Sequence, residues 1–162
     1  MYLLQRPGGL TRWVYRLPIA LYRWKLGWLL GRRFLLLLHR GRRSGQMRET
    51  VLEVVHHDEA SDTYIVAAGF GARSDWFQNL RATPAAGVQV GRRTVKVLAR
   101  QLSTEETYEE LSEYGRRHPI ATRLIARLLG LPLRGNEDQL RSAASSLPMV
   151  ALEAVRPSNR KP

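Results

Sequence analysis

The sequence predicts one small α+β domain, mainly antiparallel β, in which about six short strands form a closed or split barrel with helices on its N-terminal and C-terminal sides. Three observations carry this reading. The chain has 162 residues, the usual size of one domain and too short for separate cofactor and substrate lobes. From Phe34 onward, short extended segments alternate with turn residues, whereas a parallel α/β fold needs a helix between successive strands. With 44% hydrophobic and 25% charged residues, the composition is too apolar for a disordered chain and too charged for a multispan membrane protein.

The elements follow in order. Between Thr11 and Arg32, steps of about 100° place Trp13, Leu17, Leu21, Trp24 and Trp28 on one arc and Arg12, Arg16 and Arg23 on another, an amphipathic helical region. Pro18 predicts a kink or a second helix beginning there. The strands expected next are 34–39 (FLLLLH), 48–56 (RETVLEVVH) and 63–70 (TYIVAAGF). Ser74 can cap a short helix over 75–82, stopped before Pro84. A hairpin of 87–90 and 94–101 turns at Gly91-Arg92-Arg93. Ser103 and Glu106 form a capping box for a helix to about Arg117, broken at His118-Pro119. Helices over 122–129 and 137–145, separated by a loop, precede a closing strand over 148–155.

The net charge of +12 is unevenly placed. Residues 1–48 hold eleven basic side chains and no acid, so the rest of the chain carries only +1. This divides the sequence into a basic amphipathic segment, 1–33, a barrel domain, 34–156, and a polar tail, 157–162. No charge-free run approaches the length of a bilayer span, and 34–38 is too short and wrongly placed for a signal-peptide core, so a cytoplasmic protein is expected. The tryptophan stripe either packs on the barrel or lies in the headgroup region of an anionic membrane, giving peripheral attachment through residues 11–33. A basic nucleic-acid-binding module is the less favoured alternative, since no binding motif accompanies the charge.

With no cysteine, thiolate metal sites, iron–sulfur clusters and cysteine nucleophiles are excluded, and any redox chemistry must come from an organic cofactor. No metal site is expected, because His56-His57 lacks spaced partners. The strongest local signal is Gly41-Arg42-Arg43-Ser44-Gly45-Gln46 followed by Arg48, where glycines permit a tight turn whose N–H groups can face an anion, beside arginine and serine donors. It is not a Walker A loop, since both the spacing and the lysine are missing. The second signal is AAGFG at 67–71 leading to Trp76-Phe77-Gln78-Asn79-Leu80, where small residues leave room for a flat ring and aromatics can wall it, or simply be buried in the helix. The glutamates over 105–113 read as a solvated helix face.

Taken in order, GRRSGQMRETVLEVV, YIVAAGFG, DWFQNLRATP and GVQVGRRTVKVLAR resemble the nitroreductase and quinone-reductase family that depends on the deazaflavin coenzyme F420, over about 34–101 and the last strand. The resemblance implies a split β-barrel related to flavin-binding oxidases. It also implies hydride transfer from reduced F420 to a hydrophobic, electron-poor acceptor: a quinone, a nitroaromatic or an activated double bond. Through it, Arg42, Arg43, Ser44 and Arg48 would hold the cofactor's phosphate and acidic tail. Thr50, Val51 and Leu52, with Ala68, Gly69 and Phe70, would line the rings, and Trp76, Phe77 and Asn79 would close the pocket. The runner-up within the fold is a protein binding flavin, haem or a lipid.

The chain departs from the family pattern at Met47 and Val51, where proline is common, and at Arg92, which replaces a hairpin glycine. The family's tyrosine-rich segment before the last strand is also replaced by Tyr114-Gly115-Arg116-Arg117-His118-Pro119-Ile120 and a longer helical stretch, which leaves the acceptor open. Tyr114 and His118 are the candidates there for a proton donor or a substrate contact. Either a monomer or a dimer is compatible with the sequence.

Overall fold

Six antiparallel strands, β1 (Phe34–Arg40), β2 (Met47–Asp58), β3 (Thr63–Ala67), β4 (Ala85–Val90), β5 (Arg93–Gln101) and β6 (Met149–Ala154), pair in the order β1-β2-β3-β6-β5-β4 and close through β1 and β4 into a barrel. This computed structural model describes residues 32–120, 122 and 137–155. The amphipathic segment expected from Thr11, the body of the helix expected over 122–129, the loop after it and the tail from Pro157 lie outside the described residues.

The two-residue period of the strands sets the layers. Leu35, Leu37, Val66, Val88, Val97, Val150 and Leu152 point into the barrel and form its dry core. The helix α1 (Asp75–Ala82) adds Trp76, Phe77 and Leu80 to that same core, so it plugs one end of the barrel. On the outer face, Ile65, Met149 and Ala151 are covered by α2 (Thr104–Arg117) and α3 (Glu137–Ser146), which contribute Leu111, Ala143 and Ala144 to a second core. The capping box of α2 is present as the sequence predicts: Glu106 N–H donates to Ser103 Oγ at 3.1 Å and Ser103 N–H to Glu106 Oε2 at 2.7 Å.

Boundaries differ from the sequence reading in physically explicable ways. β2 is longer than expected, 12 residues, because a register shift between Val54 and His56 lets it bend and remain paired to β3. β3 stops at Ala67, where Ala68 N–H turns to Pro148 O and Gly71 N–H to Ala68 O. Ser74 occupies the N-cap of α1 but makes no side-chain cap; its hydroxyl donates to Gly71 O at 2.9 Å instead. α2 ends at Arg117 as expected, and helical structure resumes at Pro119, a first-turn position that suits proline.

Candidate functional site

The β1–β2 loop, 41–46, and α1 meet at the plugged end of the barrel. The loop folds on itself first: Gly41 N–H donates to Gln46 O and Gly45 N–H to Gly41 O, both at 2.8 Å. Both glycines suit the turn, Gly45 by its backbone conformation and Gly41 by the room it leaves for the Ser44 hydroxyl. A Cβ on Gly41 would lie 2.9 Å from Ser44 Oγ, and Gly45 sits at φ +67°.

The loop is then fastened to α1 through one asparagine. Asn79 Oδ1 accepts from the backbone N–H of Arg42 at 3.0 Å and from its guanidinium at 3.0 Å. Arg42 also forks onto Asp75 Oδ1, with both contacts at 3.1 Å. The N–H groups of Gly41, Arg42, Gly45 and Gln46 are thus committed to partners within the protein, and the loop presents its charge through side chains more than through a backbone nest.

Behind the loop lies His39, a β1 residue that is only 2% exposed. Its Nδ1 is 3.1 Å from Asn79 Nδ2 and its Nε2 is 3.2 Å from Thr50 Oγ1. Burial, then the Arg48 guanidinium, lower its pKa from 6.5 to about 4 against an opposing pull from Asp75, so the ring is neutral at physiological pH.

Around these groups lies a cavity of ≈390 Å³. Of the residues singled out in the sequence, Arg42, Arg43, Ser44, Arg48, Thr50, Trp76 and Asn79 border it; His39, Gly41, Glu49 and Asp75 complete its lining. Among the described residues, Arg43 and Arg48 form no ion pair, unlike Arg42. Val51, Leu52, Ala68, Gly69, Phe70 and Phe77 do not border the cavity. Val51 pairs with Leu36, out of step with the inward Leu35 and Leu37. Leu52 packs against the inner core, Ala68 is fully buried in it, and Phe77 is 1% exposed within it. Phe70 is exposed beside Gly69, beyond the end of β3.

Tyr114 and His118 also lie elsewhere. Their rings are 5.0 Å apart, and Tyr114 Oη donates to Glu53 Oε1 at 3.3 Å, where Arg33 also binds. Burial first, and the Glu53 carboxylate second, raise the Tyr114 phenol above its ordinary value, which keeps it a donor. Sequence reasoning missed His39 and Asp75. The available signal was a histidine at the end of an otherwise apolar strand, directly before the glycine-arginine loop. Among the described residues no cluster of histidine and carboxylate side chains could hold a metal ion.

The chemistry of the lining suits anionic groups. Arg43 and Arg48, which form no ion pair among the described residues, suit phosphate and carboxylate oxygens, and Trp76 supplies a flat apolar wall. Residues 15–121 match the F420H(2)-dependent quinone reductase family, and the chain belongs to it. It is therefore an enzyme, an F420-dependent oxidoreductase.

Among solved structures, the chain is similar to an F420-H2 dependent reductase, at 20% identity and a TM-score of 0.53, over 76% of this chain and 96% of that one. It is also similar to a structure described as a domain-swapped dimer, at 19% identity and a TM-score of 0.54, over 90% of this chain and 100% of that one. A pyridoxamine 5'-phosphate oxidase-related, FMN binding protein from Nostoc punctiforme PCC 73102 matches at 14% identity with a TM-score of 0.51, over 88% and 80% of the two chains. These likenesses show the fold, the split barrel of flavin-binding oxidases. No curated protein matches the chain.

Proposed function

We propose that the cavity between the β1–β2 loop and α1 holds reduced F420, and that the enzyme passes its hydride to a hydrophobic, electron-poor acceptor: a quinone, a nitroaromatic or an activated double bond. The observation that carries this reading is the convergence of seven motif residues, dispersed over 38 positions from Arg42 to Asn79, on one cavity. Reduced deazaflavin supplies two electrons as hydride, so the protein's task is to bind and orient.

In this reading Arg43 and Arg48 hold the phosphate and acidic tail, each through charge-assisted contacts worth about 1.5–3 kcal/mol. Ser44 Oγ accepts from Gln46 N–H at 3.3 Å, leaving its own hydrogen for an anion oxygen. Arg42 is committed to Asp75 and Asn79, and its role is to hold the loop in shape. Trp76 walls the ring site. Val51, Leu52, Ala68, Gly69, Phe70 and Phe77 support that wall from the surrounding core and loop rather than bordering the cavity. Tyr114 and His118, on the Glu53 side, act on the acceptor only if it extends that far. Titration of the pure protein with F420, followed by deazaflavin fluorescence, should give saturable binding at or below tens of micromolar; no binding there would overturn the assignment. Oxidation of F420H2 by a panel of quinones and nitroaromatics then identifies the acceptor class.

The division into a basic segment, 1–33, a cofactor-binding domain, 34–156, and a tail belongs to the same proposal. It rests on the charge asymmetry and on the closure of the barrel from Phe34. Peripheral attachment of 11–33 to an anionic membrane rests on the tryptophan and arginine arcs alone. Co-sedimentation with anionic but not neutral vesicles, weakened by salt, is the expected result. Among the described residues no helix is long and apolar enough to cross a membrane.

A further inference from the structure

We propose that His39 is a positioning residue, which turns the Thr50 hydroxyl into a fixed hydrogen-bond donor facing the cavity, to be met by an acceptor oxygen of the bound deazaflavin. The inference deepens the assignment above and rests on it for the identity of the ligand.

Donor and acceptor logic fixes the direction of every bond in the chain. The backbone N–H of Arg42 can only donate, so the Asn79 atom 3.0 Å from it is the carbonyl Oδ1. Nδ2 of the same amide therefore faces His39, and an amide nitrogen can only donate. His39 Nδ1, at 3.1 Å, must then be the unprotonated acceptor, which leaves the proton of a neutral imidazole on Nε2. Nε2–H donates to Thr50 Oγ1 at 3.2 Å. The threonine oxygen is thereby engaged as an acceptor from within the barrel. No second hydrogen bond of this hydroxyl forms among the described residues, and Thr50 borders the cavity. Its hydrogen is left for a ligand.

The arrangement selects by chemistry. A ligand presenting an oxygen acceptor to Thr50 gains a hydrogen bond, whereas one presenting N–H there meets a donor that cannot reverse without unpairing His39. The device also depends on chain segments 40 residues apart, since His39 is on β1 and Asn79 is on α1. His39, Asn79 and Thr50 are themselves uncharged; Arg42 meets them at Asn79 Oδ1 through its backbone N–H and its guanidinium, while the Arg48 and Asp75 charges act on His39 in opposite senses.

Two measurements test this. In the unliganded protein, long-range proton–nitrogen NMR of the histidines should show His39 as the Nε2–H tautomer at neutral pH. The Nδ1–H tautomer or an averaged signal would overturn the relay. In the second, F420 affinity is measured for Thr50→Val, Thr50→Ser, His39→Leu and the double variant His39→Leu/Thr50→Val, with folding checked by thermal melts. Thr50→Val should weaken binding about five- to tenfold, and Thr50→Ser should restore it to within about twofold. The double variant should bind no more weakly than Thr50→Val, because His39 acts through Thr50. Independent, multiplying losses would mean that His39 has only a packing role, and full affinity of Thr50→Val would overturn the proposal outright. Where His39→Leu fails to fold, the Thr50 pair and the tautomer remain decisive. Failure of the wild-type protein to bind F420 would instead remove the ligand assignment, while the tautomer spectrum still decides the relay.

Discussion

The two ends of this barrel solve the same problem, polar groups beside a dry core, in opposite ways. At the α1 end the linked groups are neutral, a buried histidine and asparagine and a half-buried threonine, and Arg43 and Arg48 form no ion pair among the described residues. At the far end, where β2 turns into β3, Asp62 accepts from Arg93 at 2.6 Å and contacts His57 Nε2 at 3.1 Å, while His57 stacks on Tyr64 with ring centroids 4.0 Å apart. Burial works to raise the Asp62 carboxyl, but the Arg93 and His57 bonds outweigh it and hold the group below its ordinary range. At the far end Arg93 is paired with Asp62; at the α1 end Arg42 is paired with Asp75, while Arg43 and Arg48 form no ion pair among the described residues and, in the proposed function, meet the ligand's anionic groups. Under that assignment it is the pairing of the arginines, not their number, that distinguishes the proposed site from the rest of the surface.

The comparison can be broken most severely by unplugging the α1 end. Phe77→Ala should cost about 3–5 kcal/mol of stability, since the ring lies in the barrel core, and chemical denaturation would register it. A stability near that of the wild type would mean that α1 is not part of the core.

Acidification should then separate the two ends. His39 has a folded pKa of about 4 against 6.5 unfolded, so the unfolded chain binds a proton between these values that the native protein refuses. Its contribution is complete above pH 6.5 and falls away as the pH drops toward 4, by on the order of 3 kcal/mol. Asp62 is shifted in the same direction but in a lower window. Its folded pKa lies below the ordinary 3.8, so its contribution survives that whole window and is lost only as the pH falls through the lower value. Denaturation midpoints measured from pH 7 to pH 3 should therefore show an upper step that is absent from a His39→Leu variant.

A sharper contrast comes from the arginines. Arg43→Gln or Arg48→Gln should each weaken F420 binding by about 1.5–3 kcal/mol, tenfold or more in Kd, while leaving the melting temperature almost unmoved, because neither forms an ion pair among the described residues. Arg93→Gln should do the reverse, with unchanged cofactor affinity and a small loss of stability that shrinks further at high salt. It is the smallest effect of the set, and a measurable loss of F420 affinity in that variant would undo the distinction between the ends.

Features that depend on neighbours along the chain can be read from the residues alone. The short apolar run at 34–38 and the alternation within 93–101 mark strands, Ser103 with Glu106 marks the start of α2, and Gly41 with Gly45 marks the loop that carries the arginines. These are legible because period, capping and φ are local properties. Family membership was legible too, since the ordered motifs lie in one continuous stretch.

Features that depend on contacts between distant segments emerge only once the chain has folded. The pairing of β3 with β6 and the closure of β1 on β4 join residues far apart in sequence, and no local pattern specifies them. The same holds for Phe77, which turns into the core while its neighbour Trp76 reaches the cavity, and for Arg42, which is spent on Asp75 and Asn79 while Arg43 and Arg48 are not. His39 is the clearest case. Read along the chain it is one histidine at the end of an apolar strand, and only the approach of Asn79 from α1 and Thr50 from β2 gives its two nitrogens separate partners, because hydrogen-bond direction is set by the groups that fold around a side chain.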